Sequence, residues 1–156
     1  MSNISDDKDL SLQLFVVLAR AYNSVTARSN RDIQSHGLNT TEFGVLDLLY
    51  HKGPQPLQKI GEKVLMSSGN ITYVVDKLQN KKLLVRRASM EDRRVIYAEL
   101  TEEGTAFFEQ IFPQHHEVII SAEQGLSEDE KREAIRLLKK LGLSASGKLS
   151  EVNESI

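Results

Sequence analysis

The stretch that decides the fold is residues 56–100, which read PLQKIGEKVLMSSGNITYVVDKLQNKKLLVRRASMEDRRVIYAEL. Leu57, Ile60 and Val64 recur at helical spacing, so the pattern predicts a short helix with one apolar face. After a tight joint at residues 65–69, residues 70–81 predict a second helix, whose apolar stripe is Ile71, Val74, Val75 and Leu78. Two short helices joined in this way indicate a helix-turn-helix.

A basic hairpin follows the second helix. Its strands are predicted over Leu84–Arg87 and Val95–Leu100, with a charged tip at Ser89–Arg94. In the second strand Ile96, Ala98 and Leu100 alternate with polar residues, which is typical of a half-buried strand. A helix-turn-helix followed by such a hairpin is typical of the winged helix-turn-helix, a module that places its second helix in the DNA major groove.

The second helix and its start carry the polar groups that a DNA reader needs. Asparagine suits adenine, threonine can contact a thymine methyl, and lysine suits guanine or phosphate. Serine hydroxyls before a helix cap its first turn, where backbone N–H groups also bind phosphate. The alternative is an ordinary solvated helix face. The predicted contacts to base edges and phosphates on this helix are Ser67, Ser68, Asn70, Thr72, Tyr73 and Lys77.

Three segments resemble the core signature of the MarR family of bacterial transcriptional regulators. They are residues 78–87 (LQNKKLLVRR), 91–94 (EDRR) and 100–104 (LTEEG), and the similarity extends from about Leu10 to Leu143. One position departs from the family pattern, because Lys82 stands where the family usually has glycine. That position often needs a left-handed backbone, which glycine adopts most cheaply, so we expect mild strain there.

The resemblance implies roles for the hairpin residues. Arg94 would enter the minor groove, while Asp92 would hold an arginine in place through a salt bridge. Narrow A·T-rich minor grooves also attract arginine on general grounds. Phosphate contacts are expected from Arg86, Arg87 and Arg93. The alternative is a solvated hairpin with an internal ion pair.

The distribution of charge supports a nucleic-acid partner. The net charge of the chain is −2, but residues 77–94 contain seven lysines or arginines against two acidic residues. This segment therefore carries +5, and the rest of the chain carries −7. A basic patch on an acidic body is the electrostatic footprint of a DNA-binding protein.

The remaining helices divide the chain into four segments. Residues 1–38 contain a long apolar helix from Leu10 to about Gln34, and residues 39–100 form the winged module. Asn39 with Glu42 at the start of the next helix, and Ser127 with Glu130 at the start of the last helix, are capping-box patterns. Residues 101–143 contain two further helices, closed by Gly125 and Gly142, and residues 144–156 are predicted to be a disordered tail. The resemblance implies that the N- and C-terminal helices pack against a second copy. We therefore expect a homodimer that reads a pseudo-palindromic site.

The resemblance also implies an effector, usually a small phenolic or other aromatic anion bound between the dimer helices and the winged module. Residues that could line such a cleft are Phe15, Arg20, Tyr22, His36, Phe43 and Tyr50. The segments at residues 53–77 and 95–98 are similar to the branch of the family that responds to quinones and catechols. The chain has no cysteine, which excludes thiol chemistry and leaves non-covalent sensing.

Other function classes find little support. The four histidines lack metal-ligand spacing, since His115 and His116 are adjacent and would point about 100° apart on a helix. No catalytic motif or phosphate loop is present, so we expect neither enzymatic activity nor a cofactor. The N-terminus lacks the features of a signal peptide and no apolar run is long enough to span a membrane, so a cytoplasmic protein is expected.

The sequence therefore predicts a mainly α-helical protein with a small β-hairpin wing that acts as a DNA-binding transcriptional regulator, namely a ligand-responsive repressor. One alternative is a winged-helix adaptor that binds proteins and never DNA. Another is a regulator that binds DNA constitutively, without an effector.

Overall fold

The computed structural model describes residues 4–64 and 71–148, with side chains described from residue 7 onward. The elements are α1 (Ile4–Ser35), α2 (Thr40–Lys52), β1 (Gln55–Pro56), α3 (Leu57–Lys63), α4 (Ile71–Asn80), β2 (Leu84–Ala88), β3 (Ile96–Leu100), α5 (Glu102–Ala122) and α6 (Glu128–Ala145). The predicted class, mainly helical with a hairpin wing, is confirmed. The predicted joint at residues 65–69 lies outside the described ranges.

The chain forms two compact units, Met1–Ile119 and Ile120–Ile156. The first contains α1 to β3 and most of α5, and the second contains the end of α5 and α6. The segment boundaries inferred from the sequence at residues 38, 100 and 143 remain predictions. Within the described ranges, no helix combines the length and hydrophobicity needed to cross a bilayer.

Capping side chains fix two helix starts as predicted. The Asn39 Oδ1 accepts a hydrogen bond from the Glu42 N–H at 2.8 Å and begins α2. Ser127 and Glu130 form a reciprocal capping box at the start of α6, with distances of 3.2 and 2.7 Å. Each contact satisfies a backbone N–H that lacks a partner in the first helical turn.

Three helix bounds differ from the predicted ones by three or more residues. α1 begins at Ile4 rather than Leu10, because acidic residues such as Asp7 favour the positive end of the helix dipole. α5 ends at Ala122 instead of Gly125. α6 runs through Gly142 to Ala145, since the left-handed glycine that follows this helix is Gly147, at φ +74°. The first two residues of the predicted tail are therefore helical.

The wing is a three-stranded antiparallel sheet in the order β1-β3-β2. β2 and β3 pair from Leu84 opposite Leu100 to Ala88 opposite Ile96, as the hairpin prediction required. β1, which the sequence analysis did not predict, pairs Gln55 with Ala98. A two-residue strand ending in proline gives no alternating pattern from which it could be predicted.

The core of the first unit lies between α2, α3, α4, the sheet and α5. The side chains of Leu46, Ile60, Leu78, Leu84 and Phe108 are fully buried there. At Gly104 the start of α5 approaches the turn before β2 so closely that an added β-carbon would lie 1.8 Å from the carbonyl oxygen of Leu83. The glycine of the LTEEG segment is thus required by the contact between α5 and this turn.

Candidate DNA-binding surface and effector cavity

The second helix of the helix-turn-helix, α4, presents the predicted polar face. Val74, Val75 and Leu78 are buried, while Thr72 and Tyr73 are exposed. The Lys77 Nζ lies 5.7 Å from the centre of the Tyr73 ring, on the same face. Of the other candidates on this helix, Ser67, Ser68 and Asn70 lie outside the described residues.

A buried carboxylate links α4 to α2. Glu42 is 2% exposed, and its two carboxylate oxygens lie 3.4 Å from the Lys77 Nζ and 2.7 Å from the Lys81 Nζ. The capping-box role predicted for Glu42 is therefore wrong. Its backbone N–H is capped by Asn39 as expected, but its side chain turns inward, because two lysines stabilise the ionised carboxylate there.

Two of the predicted phosphate-binding arginines are held by acidic residues. Arg86 of β2 forms an ion pair with Asp76 and donates to the Gln79 Oε1 at 2.5 Å, and both partners belong to α4. Arg87 lies 3.2 Å from Glu99 on β3. The contacts of Arg86 hold the wing against α4, and the contact of Arg87 links β2 to β3. The wing and α4 therefore form one continuous surface.

The tip of the wing is organised by short-range hydrogen bonds. The Ser89 hydroxyl accepts from the backbone N–H groups of Glu91 and Asp92, at 3.2 and 3.3 Å. The Asp92 carboxylate accepts from the Arg94 backbone N–H at 3.0 Å, and from its Nε and Nη2 at 3.1 and 3.2 Å. Hydrogen bonds from the Arg94 side chain, and next from its backbone, hold the pKa of Asp92 below its usual value. The Arg94 side chain remains 90% exposed.

Lys82 connects α4 to β2 in the conformation that its glycine-like position requires. Its φ is +63°, the only positive value among the described non-glycine residues. The Lys82 N–H donates to the Gln79 carbonyl at 2.9 Å, and the Leu83 N–H donates to that of Leu78 at 3.0 Å. These bonds satisfy the last carbonyls of α4, and the expected left-handed backbone is confirmed.

A cavity of about 460 Å³ lies between α1, α2, α3 and α5. Of the six predicted effector contacts, Tyr22 and Phe43 line it. The lining is completed by Thr26, Ser29, Asn30, Ile33, Thr40, Gly44, Asp47, Leu48, His51, Lys52, Lys63, Val64 and His115.

The other four predicted effector contacts are not brought together with these two. Phe15 and Arg20 are exposed on α1. The His36 ring lies 3.4 Å from Asp32. The Tyr50 hydroxyl donates to Glu109 at 3.2 Å, and desolvation, followed by the charge of Glu109, raises the pKa of Tyr50.

A buried Asp–His contact at the cavity could not be predicted from the sequence. The His115 Nδ1 on α5 lies 2.9 Å from the Asp32 Oδ2 on α1, and the His115 ring packs on Phe43 with centroids 4.4 Å apart. The two residues are 83 positions apart, so no local spacing could have indicated the pair. Among the described residues, no group of three potential ligands could hold a metal ion.

Comparison with known proteins identifies relatives that match most of the chain. Residues 38–96 match the model of the MarR family. The HTH-type transcriptional regulator MhqR of Bacillus subtilis strain 168 is 54% identical over 135 residues, which is 86% of this chain and 93% of that protein. The uncharacterized HTH-type transcriptional regulator YkoM of the same strain is 46% identical, covering 88% of this chain and 90% of that protein.

A solved structure has a similar fold. It concerns the regulation of DNA binding of Bordetella bronchiseptica BpsR by 6-hydroxynicotinic acid, and it is 27% identical with a TM-score of 0.72. The match covers 81% of this chain and 90% of that one.

Proposed function

The chain belongs to the MarR family and is a DNA-binding transcriptional regulator, and from this premise we propose that it is a ligand-responsive repressor that binds a pseudo-palindromic operator as a homodimer. Its relatives are named as transcriptional regulators, which supports neither an enzyme nor a protein-binding adaptor without DNA.

The observation that carries the proposed DNA contact is the exposed arginine at the wing tip. Arg94 is held by its neighbour Asp92 yet remains 90% exposed, so its guanidinium is oriented before DNA arrives. A side chain that is already oriented loses less conformational entropy on binding. We propose that Arg94 enters the minor groove while Thr72, Tyr73 and Lys77 face the major groove. Arg86, Arg87 and Arg93 would then contact phosphates.

The apolar surface of α1 supports the proposed homodimer. Residues 10–18 of this helix include exposed large side chains on several faces, among them Leu12 (66%), Phe15 (68%) and Val17 (56%). A helix that is apolar around much of its circumference is normally buried. A second copy of the same chain would cover this surface, and two-fold symmetry would set the two recognition helices about one DNA turn, roughly 34 Å, apart.

The cavity supports the proposed effector. Its volume falls in the range of small-molecule sites, and its walls combine aromatic and aliphatic side chains with a few polar groups. BpsR, which resembles this chain in fold and sequence, is regulated by a hydroxylated aromatic acid. We propose a small aromatic effector for this chain, with phenols, quinones and catechols as the first compounds to test. With no cysteine in the chain, these compounds would bind without forming a thiol adduct.

The proposal can be tested by fluorescence anisotropy with pseudo-palindromic and scrambled duplexes over a range of salt concentrations. We expect Arg94→Ala to weaken binding by roughly 5- to 100-fold and to reduce the dependence on salt. Arg132→Ala is the matched control, because Arg132 is also exposed and paired with a carboxylate, in α6. Equal affinity of wild type and Arg94→Ala on every duplex would contradict the proposed role of the wing.

A second arm of the same experiment adds aromatic compounds to the preformed complex. An effector can release DNA only if it binds the DNA-free conformation more tightly. Release by any of the compounds supports a ligand-responsive repressor. Binding of DNA that none of them alters would favour the constitutive alternative.

A further inference from the structure

Asp32 and His115 form a buried polar pair at the wall of the cavity, with His115 in the lining and Asp32 behind it. Asp32 is 7% and His115 8% exposed, and the Asp32 carboxylate lies 2.9 Å from the His115 Nδ1. The other oxygen of the same carboxylate lies 3.4 Å from the His36 Nε2. An ionised carboxylate accepts hydrogen bonds only, so it selects the form of His115 that carries a proton on Nδ1.

The position of the His115 ring is fixed on two sides. Asp32 holds the Nδ1 edge, and the ring packs against Phe43 at 4.4 Å. His115 belongs to the cavity lining, whereas Asp32 does not. The polar ring atom left for a ligand in the cavity is therefore Nε2, which in the neutral imidazole is a hydrogen-bond acceptor.

The other ionisable groups of the lining are already engaged or more exposed, and Tyr22 among them is 60% exposed. Lys63 of α3 donates to the Gln55 Oε1 at 2.6 Å. His51 and Asp47 of α2 pair with each other at 3.2 Å, but both side chains are 44% exposed. Lys52 is exposed at the end of α2. The His115 side chain is only 10% exposed, so a hydrogen bond to it competes less with water than one to His51.

We propose that His115, oriented by Asp32, is the specificity-determining residue that recognises an ionisable hydroxyl on the ring of the effector. The inference rests on the proposed effector function. One proton lies between the ligand oxygen and Nε2: a phenol O–H donates to the neutral ring, or its proton moves to Nε2 and leaves an imidazolium beside a phenolate. The Asp32 carboxylate stabilises the imidazolium in the second case.

The test compares a phenol with its methyl ether, which has no O–H proton to donate. Isothermal titration calorimetry with para-nitrophenol and para-nitroanisole measures the preference of the full-length protein for the hydroxyl. We expect wild type to bind the phenol at least about 10-fold more tightly, the scale of one buried hydrogen bond. In His115→Phe, which keeps a flat ring against Phe43, the preference should fall to within about threefold, while nitroanisole still binds.

Two further variants separate recognition from a structural role. His51→Phe makes the same chemical change at the other histidine of the cavity and should keep the preference. Asp32→Asn should keep some preference but reduce the visible absorption of bound nitrophenolate, because the imidazolium loses its counter-charge. If His115→Phe does not fold with its buried carboxylate unpaired, the Asp32→Asn/His115→Phe double variant removes that charge and carries the same expectation as the single variant.

When at least one of the two compounds binds, three results would overturn the inference. They are equal binding of the two compounds by wild type, an unchanged preference in folded His115→Phe, or loss of the preference in His51→Phe instead. If the two probes bind equally and both release DNA, the proposed repressor stands and only the role of His115 fails. If neither compound binds, the inference fails, and the broader compound screen and the Arg94→Ala experiment decide the proposed function separately.

Discussion

At the scale of single residues, Lys82 shows how one backbone angle can be anticipated from a departure in sequence. The pattern around it indicated a left-handed position, and its φ is +63°. A side chain with a β-carbon pays about 1–2 kcal/mol for this conformation, whereas glycine adopts it freely. The residue type expected at this position, glycine, thus indicates the sign of the φ angle without any information on long-range contacts.

We therefore expect Lys82→Gly to stabilise the fold by about 0.5–1 kcal/mol, since relief of strain exceeds the extra entropy that glycine loses on folding. Asn80→Gly is the control: it sits at the end of the same helix with ordinary helical geometry, and it should destabilise by a similar amount. Urea denaturation of both variants measures the two free energies of unfolding. A loss of stability in Lys82→Gly would argue against strain at this position.

At the scale of elements, α2 and α4 are joined by charge as well as by apolar packing. The spacing of apolar residues predicted α4, and a capping pattern indicated the start of α2, because both signals are local. The side chain of Glu42 could not be placed in this way, since its partners Lys77 and Lys81 lie 35 and 39 positions away. The local sequence indicated a capping role for this side chain. In the folded chain its carboxylate instead pairs with Lys77 of α4 and with Lys81, which directly follows that helix.

Glu42→Gln should consequently affect both stability and DNA recognition. Breaking a buried ion pair costs several kcal/mol, but both lysines are partly exposed and can be hydrated, so a loss of about 1–2 kcal/mol is expected. Freed from the carboxylate, the lysines should bind phosphates without regard to sequence and lower the ratio of operator to scrambled-duplex affinity.

Denaturation and anisotropy on the same samples test this expectation. Glu62→Gln, at an exposed position of α3, makes the same change of charge and should leave both quantities nearly unchanged. An unaltered affinity ratio in Glu42→Gln would confine the carboxylate to a role in stability.

At the scale of the whole molecule, the sequence indicated the winged module because its signals are local: helical periods, capping residues, a basic hairpin and the EDRR tip. The cavity was harder to predict. Tyr22 and Phe43 belong to its lining, and so does His115, which is held by Asp32 from a helix 83 positions away in the chain. Aromatic residues such as Phe15 and Tyr50 offered equally good candidates until the fold separated them from the lining.

The proposed homodimer yields a prediction at this same scale. Phe15→Glu should shift the protein from dimer to monomer in sedimentation velocity and weaken association on the order of 100-fold or more, because each copy would bury an unpaired charge. Gln13→Glu introduces a charge at an exposed polar position of the same helix and serves as the control. A wild type that sediments as a monomer, or a Phe15→Glu variant that remains a dimer, would contradict the use of α1 as an interface.

The conformation of the wing tip is set by hydrogen bonds among its own residues. The hydrogen bonds that shape it run from the Glu91 and Asp92 N–H groups to the Ser89 hydroxyl and from Arg94 to the Asp92 carboxylate, and all close within six consecutive residues. A distant helix can therefore move without forming or breaking any of these hydrogen bonds. An effector in the cavity would thus alter operator affinity by changing the positions of the two tips of a dimer, through α4 and the sheet. It would leave the conformation of each tip unchanged. The repressing and released states would then differ in the positions of the two wing tips and not in the conformation of either tip.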